Sequence, residues 1–204
     1  MGHQEPATGL NAQPQTDAGR TRLAASALLL LLILLHLLSN WLWRATNEVV
    51  VGFDRMFHQV TSLAYHNILS EGVNLHSLFA ALTWSDYYAP RVHLVAAFFY
   101  KLFGVSMDVA AMSNSLFVVL LLVSVDGIGE RFGPVPLGRV ARDGTGRRQL
   151  AGPWVGLLSA FVVSMLPIIF SMSRYLYVDF ALTAMVALNI CLLQRSERFQ
   201  HRGY

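Results

Sequence analysis

The sequence predicts an all-α, polytopic helical membrane protein with about four transmembrane helices and interfacial helices in a long first outer loop. Three observations carry that fold class. Of 204 residues, 54% are hydrophobic and 13% charged, where a soluble domain carries about a quarter charged residues. The apolar residues gather into runs of roughly 17 to 21, the length a helix needs to cross a hydrocarbon core of about 30 Å. The arginines cluster between and beyond these runs rather than within them.

The elements follow in order. Residues 1–21, rich in Gly, Gln, Ala, Pro and Thr without apolar periodicity, read as a disordered cytoplasmic tail. Leu23 to Trp43 is almost unbroken Leu and Ala and closes on Trp41 and Trp43, suited to the membrane interface. Its length, and the lack of a small-x-small site after it, favour a signal anchor over a cleaved signal peptide. His36, inside that run, reads as a neutral packing histidine. Residues 44–108 form the outer loop, where Phe53, Phe57, Val60, Ala64 and Ile68 recur every three or four positions. That period predicts a helix with one apolar face, lying along the membrane surface. Val92 to Phe103 is short for a span and is interrupted by Lys101, so it reads as interfacial or re-entrant. Further spans are predicted at 109–125, 154–170 and 177–193. Residues 127–152, rich in Gly and Arg, read as a flexible cytoplasmic loop, and 196–204 as a cytoplasmic tail. The transmembrane module thus covers residues 22–195. Cys191, the one cysteine, is an apolar filler and excludes an internal disulfide or a cysteine-based zinc site.

Lys and Arg accumulate at the cytoplasmic ends of spans. With four spans and a cytoplasmic N-terminus, the inner segments hold Arg20, Arg22, Arg131, Arg139, Arg142, Arg147, Arg148, Arg195, Arg198 and Arg202. These are ten of the fifteen basic residues. A fifth span at 92–103 would expel the arginine-rich loop. The four-span arrangement puts Asp54 and Asp179 on the same, non-cytoplasmic side.

Those two carboxylates are the candidates for chemistry. Asp54 and His58 stand four apart and would share a helix face. Asp179 stands at the mouth of the last span. A carboxylate near hydrocarbon must be paired, solvated or used. Taken singly, Asp54 is also an ordinary solvated helix-start residue and Asp179 an N-terminal cap favoured by the dipole. Their shared side makes a joint role the sharper expectation. In Ser85-Asp86-Tyr87-Tyr88-Ala89-Pro90-Arg91-Val92-His93, Pro90 suits a helix start, and Asp86, Arg91 and His93 suit an anionic head group.

Several chemistries find no support. There is no phosphate-binding Gly loop, no H-E-x-x-H and no nucleophile elbow. The histidines lack metal-ligand spacing, so no metal site is predicted. The arginine-rich loop has no interleaved aromatics for nucleic acid and reads as a connector favouring anionic lipids. The spans carry few charges and no Gly/Pro-broken pair, which disfavours a small transporter.

The order of these features resembles the N-terminal half of the GT-C membrane glycosyltransferases, the group that includes protein O-mannosyltransferase-like and RgtA/B/C/D-like enzymes. The matching parts are a first span, then Asp54, then Tyr87-Tyr88-Ala89-Pro90-Arg91-Val92-His93-Leu94, then Lys101-Leu102-Phe103-Gly104-Val105-Ser106. After two spans comes Arg174-Tyr175-Leu176-Tyr177-Val178-Asp179, like the family's Arg-x-x-x-x-Asp element, with Pro167 before it. Asp54-Arg55 stands where many members have Asp-Glu, and Ala89-Pro90 where Pro-Pro is usual.

The resemblance implies an integral, multi-pass protein of the cell inner membrane, if bacterial, with its site on the outer face. It implies inverting transfer of a sugar from a polyprenyl-phosphate-linked donor to an acceptor glycan, lipid or protein. Asp54 matches the catalytic base and Asp179 the second acidic position, which shapes an acceptor or metal site and would admit a divalent cation. From charge rather than from any motif match, Arg91 or Arg174 would offset charge on the leaving phosphate, and the reading of the residues adds His58, Asp86 and His93 as substrate-binding. Members usually carry more spans and a C-terminal portion that completes the lipid-phosphate pocket, so the resemblance implies a fragment, a truncated product or a partner chain. The alternative is a non-catalytic four-span accessory or scaffold protein.

Overall fold

In the computed structural model, the residues described are 14–47, 52–70, 72–84, 88, 90–132 and 151–196. No proline or glycine interrupts residues 20–46, and one helix, α1 (Pro14–Thr46), runs through them. It starts inside the expected disordered tail, so residues 14–21 continue the span helix. At the other end, Thr46 Oγ1 donates to the Leu42 carbonyl and Asn47 Nδ2 to that of Trp43, at 2.9 and 2.7 Å, so side chains satisfy open helix carbonyls.

Three shorter helices come next: α2 (Phe53–Ser70), α3 (Leu75–Thr83) and α4 (Arg91–Phe103). The predicted periodicity of α2 is present, and its sense is informative. Phe53, Phe57 and Val60 point outward, with Phe53 89% exposed, while His58, Ser62 and Tyr65 are buried. The polar side faces protein and the apolar side faces out, as lipid surroundings would require. Asn74 caps α3 through a reciprocal box with Ser77. The 13 residues of α4 span about 20 Å, less than a hydrocarbon core. The helix closes on Gly104, whose φ of 85° suits glycine.

Ser106 caps α5 (Met107–Met112) by accepting from the Val109 amide, and after a turn at Ser113 the chain continues as α6 (Asn114–Phe132). Residues 127–132, expected in the loop, therefore extend this helix; residues 133–150 lie outside those described.

The predicted span at 154–170 is divided. α7 (Ala151–Met165) stops at Leu166, and α8 (Pro167–Met172) starts with its proline. Pro167 offers no amide and disfavours helical backbone at the residue before it; Leu166 accordingly adopts φ −62° and ψ 126°. The last helix is α9 (Val178–Arg195). Three helices are thus long and apolar enough to cross a membrane: Gly19–Thr46, Met107–Arg131 and Val178–Arg195. Gly152–Met165 is apolar but shorter. The expected fourth span is not among the helices of membrane length, because α7 ends before Pro167 after 15 residues.

One core joins these helices. Ile33 of α1, Tyr100 of α4, Phe117 and Leu121 of α6, Ala160 of α7 and Phe180 and Ala184 of α9 all belong to it. A smaller cluster of Tyr65, Ala81 and Ala97 ties α2 and α3 to α4. The closest helix pair is α6 with α7, and small residues permit it. Gly152, Gly156, Ala160 and Ser164 recur every fourth position of α7 and are all buried. A Cβ at Gly156 would fall 2.6 Å from the Asp126 carbonyl oxygen, and one at Gly129 would fall 2.8 Å from the Gly156 Cα. Backbone lies against backbone there, the approach that small-xxx-small stripes allow between membrane helices.

Gly156→Ala should therefore force the α6 and α7 backbones apart, destabilising the fold by about 1 to 3 kcal/mol as overpacking does. Gly19→Ala, with open space around it, should leave thermal stability unchanged or slightly raised. Melting temperatures in one detergent compare the two directly; equal values would remove the close-packing argument.

Candidate functional site

The site lies where the C-terminus of α1, the N-termini of α2 and α5, and the turn before α9 come together. That turn is fixed from the bundle interior. Asn114 Nδ2, at the start of α6, donates to the Tyr175 carbonyl and, at 3.4 Å, to that of Met172. Asn40 Nδ2 donates to Ser173 Oγ at 2.9 Å, and His36 Nε2 lies 3.0 Å from the same oxygen. His36 is therefore held in packing, as its position in an apolar run suggested.

The turn presents three side chains to the site. The Arg174 guanidinium lies 4.1 Å from the Phe170 ring centre and 5.1 Å from that of Trp43. Tyr175 and Tyr177 meet Arg55 of α2: the guanidinium lies 3.5 Å over the Tyr175 ring, and Nε donates to the Tyr177 hydroxyl at 2.9 Å. These contacts tie the first turn of α2 to the segment leading into α9.

Between them is a cavity of about 310 Å³. Arg44, Arg55 and Arg174 line it with Trp43, Gln59 and Tyr175, and Asp108 is the one carboxylate among the described residues of its wall. Arg44 Nη1 and Arg174 Nε are buried without hydrogen-bond partners in the protein. Three guanidinium groups share this wall with one carboxylate among the described residues, so it carries an excess of positive charge.

Asp54 and Arg55 are adjacent on α2, so they point about 100° apart. Asp54, its side chain 58% exposed, lies 3.5 Å from His58 Nε2. Asp179, exposed in the first turn of α9, is near enough to act on the same imidazole through its charge. Asp54 thus stands beside His58, and the charge of Asp179 reaches the same ring. His58 itself is 2% exposed, and its Nδ1 is 3.2 Å from Nε2 of His93, which is fully buried on α4. Tyr65 stacks parallel to His93 with ring centres 5.7 Å apart, and Tyr88 meets His58 edge-on at 4.9 Å. Burial lowers the pKa of His58 although both aspartates act to raise it. Burial, with a smaller effect from His58, pushes His93 down to about 4.

Comparison with known proteins brings no family model, curated protein or solved structure that matches this chain.

The structure thus brings Asp54, Asp179, His58 and His93 together and places Arg174 in the cavity beside them. Both imidazoles are buried, with His58 Nδ1 lying against His93 Nε2. Arg91 is exposed at the start of α4 and is not in the cavity wall; Asp86 lies outside the described residues. Among the described residues, no group of three or more His, Cys, Asp or Glu side chains is arranged to hold a metal ion. Sequence reasoning missed Arg44, Arg55 and Asp108. Only the position of Arg44 just past the tryptophan anchor hinted at an interfacial cation.

Both buried histidines give acid sensitivity of definite sign. An unfolded histidine titrates near 6.5, whereas His93 in the fold titrates at about 4. Between these values the unfolded chain holds the proton and the folded chain does not, so stability is complete above about pH 6.5 and falls toward pH 4. Thermal unfolding measured from about pH 7 down to about pH 5 should show the loss, with His93→Gln reducing its slope. An unchanged slope would mean that His93 is not the group titrating.

Proposed function

We propose that this chain is a GT-C-type membrane glycosyltransferase, or the N-terminal module of one, that transfers a sugar from a polyprenyl-phosphate-linked donor to an acceptor hydroxyl. The observation that carries the reading is Asp54 beside a buried imidazole, within reach of the charge of Asp179 and next to a cavity walled by three arginines. A base and an anion receptor are the two parts that such a transfer requires. The arginine distribution supports a cytoplasmic N-terminus, with the site on the opposite face of the membrane.

In this scheme the Asp54 carboxylate takes the proton from the acceptor hydroxyl as that oxygen attacks the anomeric carbon. The bond from this carbon to the phosphate oxygen breaks on the opposite side, and the electron pair leaves with the phosphate. Inversion follows. Arg44, Arg55 and Arg174 offset the charge that builds on the departing group. Asp179 helps position the acceptor. A site at the ends of membrane helices lets the phosphate meet the arginines while the prenyl chain stays in lipid.

The exposure of Asp54 favours the second reading, a non-catalytic accessory protein, since a solvated carboxylate needs no reactive role. Transfer measured by mass spectrometry on the protein in nanodiscs, with a panel of synthetic polyprenyl-phosphate sugars, separates the two. Asp54→Asn should lower turnover by about 10²-fold or more, the scale of a lost general base. Arg174→Gln should weaken binding of the prenyl phosphate by about tenfold, the scale of one charged hydrogen bond, with the uncharged prenyl alcohol bound equally by both forms. Full activity in the Asp54 variant would end the catalytic assignment. Equal binding of phosphate and alcohol would end the cavity assignment.

A further inference from the structure

Burial keeps both rings of the imidazole pair behind Asp54 neutral near neutral pH. A neutral pair has only two ways to share its protons, and the surroundings distinguish them. His58 Nδ1 and His93 Nε2 are 3.2 Å apart, so one must donate and the other accept. If His58 donates, its own Nε2 is bare and faces the Asp54 carboxylate oxygen at 3.5 Å, lone pair against lone pair. His93 then carries its proton on Nδ1, which is buried and has no partner in the protein. If His93 donates instead, His58 keeps its proton on Nε2 and aims it at the carboxylate. The unpartnered atom is then a bare His93 Nδ1, not a buried N–H with nothing to accept it. The second arrangement leaves one buried group unsatisfied; the first does the same and adds a repulsion. The charge of Asp179, which acts on His58 from α9, favours the same choice. Tyr65 and Tyr88 offer ring contacts to the pair.

We infer that His93 is a positioning residue: its Nε2–H, donated to His58 Nδ1, fixes His58 as an Nε2–H donor that holds and orients the Asp54 carboxylate. The separation of 3.5 Å is longer than an optimal hydrogen bond, so in the unliganded protein the carboxylate is tethered rather than locked. Such contacts tighten when a substrate closes over the site. His58 and His93 belong to α2 and α4, whose packing keeps the pair dry. The catalytic value of the arrangement rests on the proposed role of Asp54; the proton arrangement itself does not.

Nitrogen-15 NMR of the full chain in nanodiscs, with labelled histidine and assignment by His58→Gln and His93→Gln, reads each ring's proton directly. The expected result near neutral pH is a proton on Nε2 and none on Nδ1 for both His58 and His93. Asp54→Ala removes the acceptor and should leave His58 as a mixture of both tautomers. His93→Phe should do the same, whereas His93→Gln, whose amide N–H can replace the donor, should restore the single form. Circular dichroism establishes that each variant is folded, and the glutamine variant keeps the test open if the phenylalanine variant is not.

A proton on His58 Nδ1 in the unmodified protein would overturn the inference. So would a His58 pattern indifferent to Asp54→Ala and His93→Phe. In the transfer assay, His93→Phe should lower turnover by about tenfold, the scale seen when a group that orients a histidine is removed, with donor KM unchanged and the glutamine variant recovering most of it. Absent transfer with the expected proton pattern would remove the glycosyltransferase reading alone. Active transfer with the opposite pattern would remove only the role given to His93.

Discussion

The carbonyl groups between Met172 and Tyr175 must be satisfied inside an apolar bundle, and the rest of the structure depends on how that is done. Each unsatisfied polar group in such surroundings costs several kcal/mol. Asn114 supplies donors to the carbonyls of Met172 and Tyr175, and Asn40 with His36 engages Ser173. The chain can therefore leave helical geometry after α8 and start a new helix at Val178 without exposing backbone to lipid. That turn determines where Arg174 and Tyr175 stand, and it puts Asp179 in the first turn of α9. Asn114, Asn40 and His36 hold the turn from the bundle interior, while Trp43 and Arg55 hold it from the outside through Arg174, Tyr175 and Tyr177.

The same constraint explains why α2 is turned with its polar side inward. In water, a helix carrying Phe53, Phe57 and Val60 on one face would bury that face and expose His58. Here the apolar face looks out and His58, Ser62 and Tyr65 pack against α4. Arg55, held by Tyr175 and Tyr177, locks the rotation. Once α2 has this rotation, Asp54 lies beside His58 and Arg55 lies in the cavity wall; neither placement needs a separate cause.

How much of this was legible in the sequence depends on the range of the interaction involved. Unbroken apolar runs identified three membrane-length helices, and a period of three to four residues identified α2, because both signals are local. Pro167 is local too, yet the run from Trp154 to Phe170 was read as one span by its hydropathy alone; the missing amide of proline outweighs hydropathy there. Arg20 and Arg22 look like an ordinary charged flank, and the extension of α1 back to Pro14 has no apolar signature to announce it. Contacts such as His36 with Ser173, 137 residues apart, leave no trace in spacing at all. The site was half legible for the same reason. Asp54 and Asp179 stand out singly as acids near apolar runs, but the arginines become a group only when α1, α2 and the turn before α9 meet.

The cations of that group are held by aromatic rings more than by acids, and this bears on what the cavity can do. An arginine kept for structure is usually matched by a carboxylate, which cancels its field. Arg55 rests on Tyr175, and Arg174 on Phe170 and Trp43; ring faces position a guanidinium while leaving its charge uncancelled. Asp108 answers at most one of the three. The departure from the resembled family at position 55 then acquires a physical meaning. With a second acid there, α2 would present two carboxylates and the cavity would lose a third of its cations. With arginine, one helical step of about 100° separates a carboxylate from a cation of the cavity wall. The carboxylate is turned toward His58 and the guanidinium toward the cavity, and their mutual neutralisation is limited because each already has other partners to face.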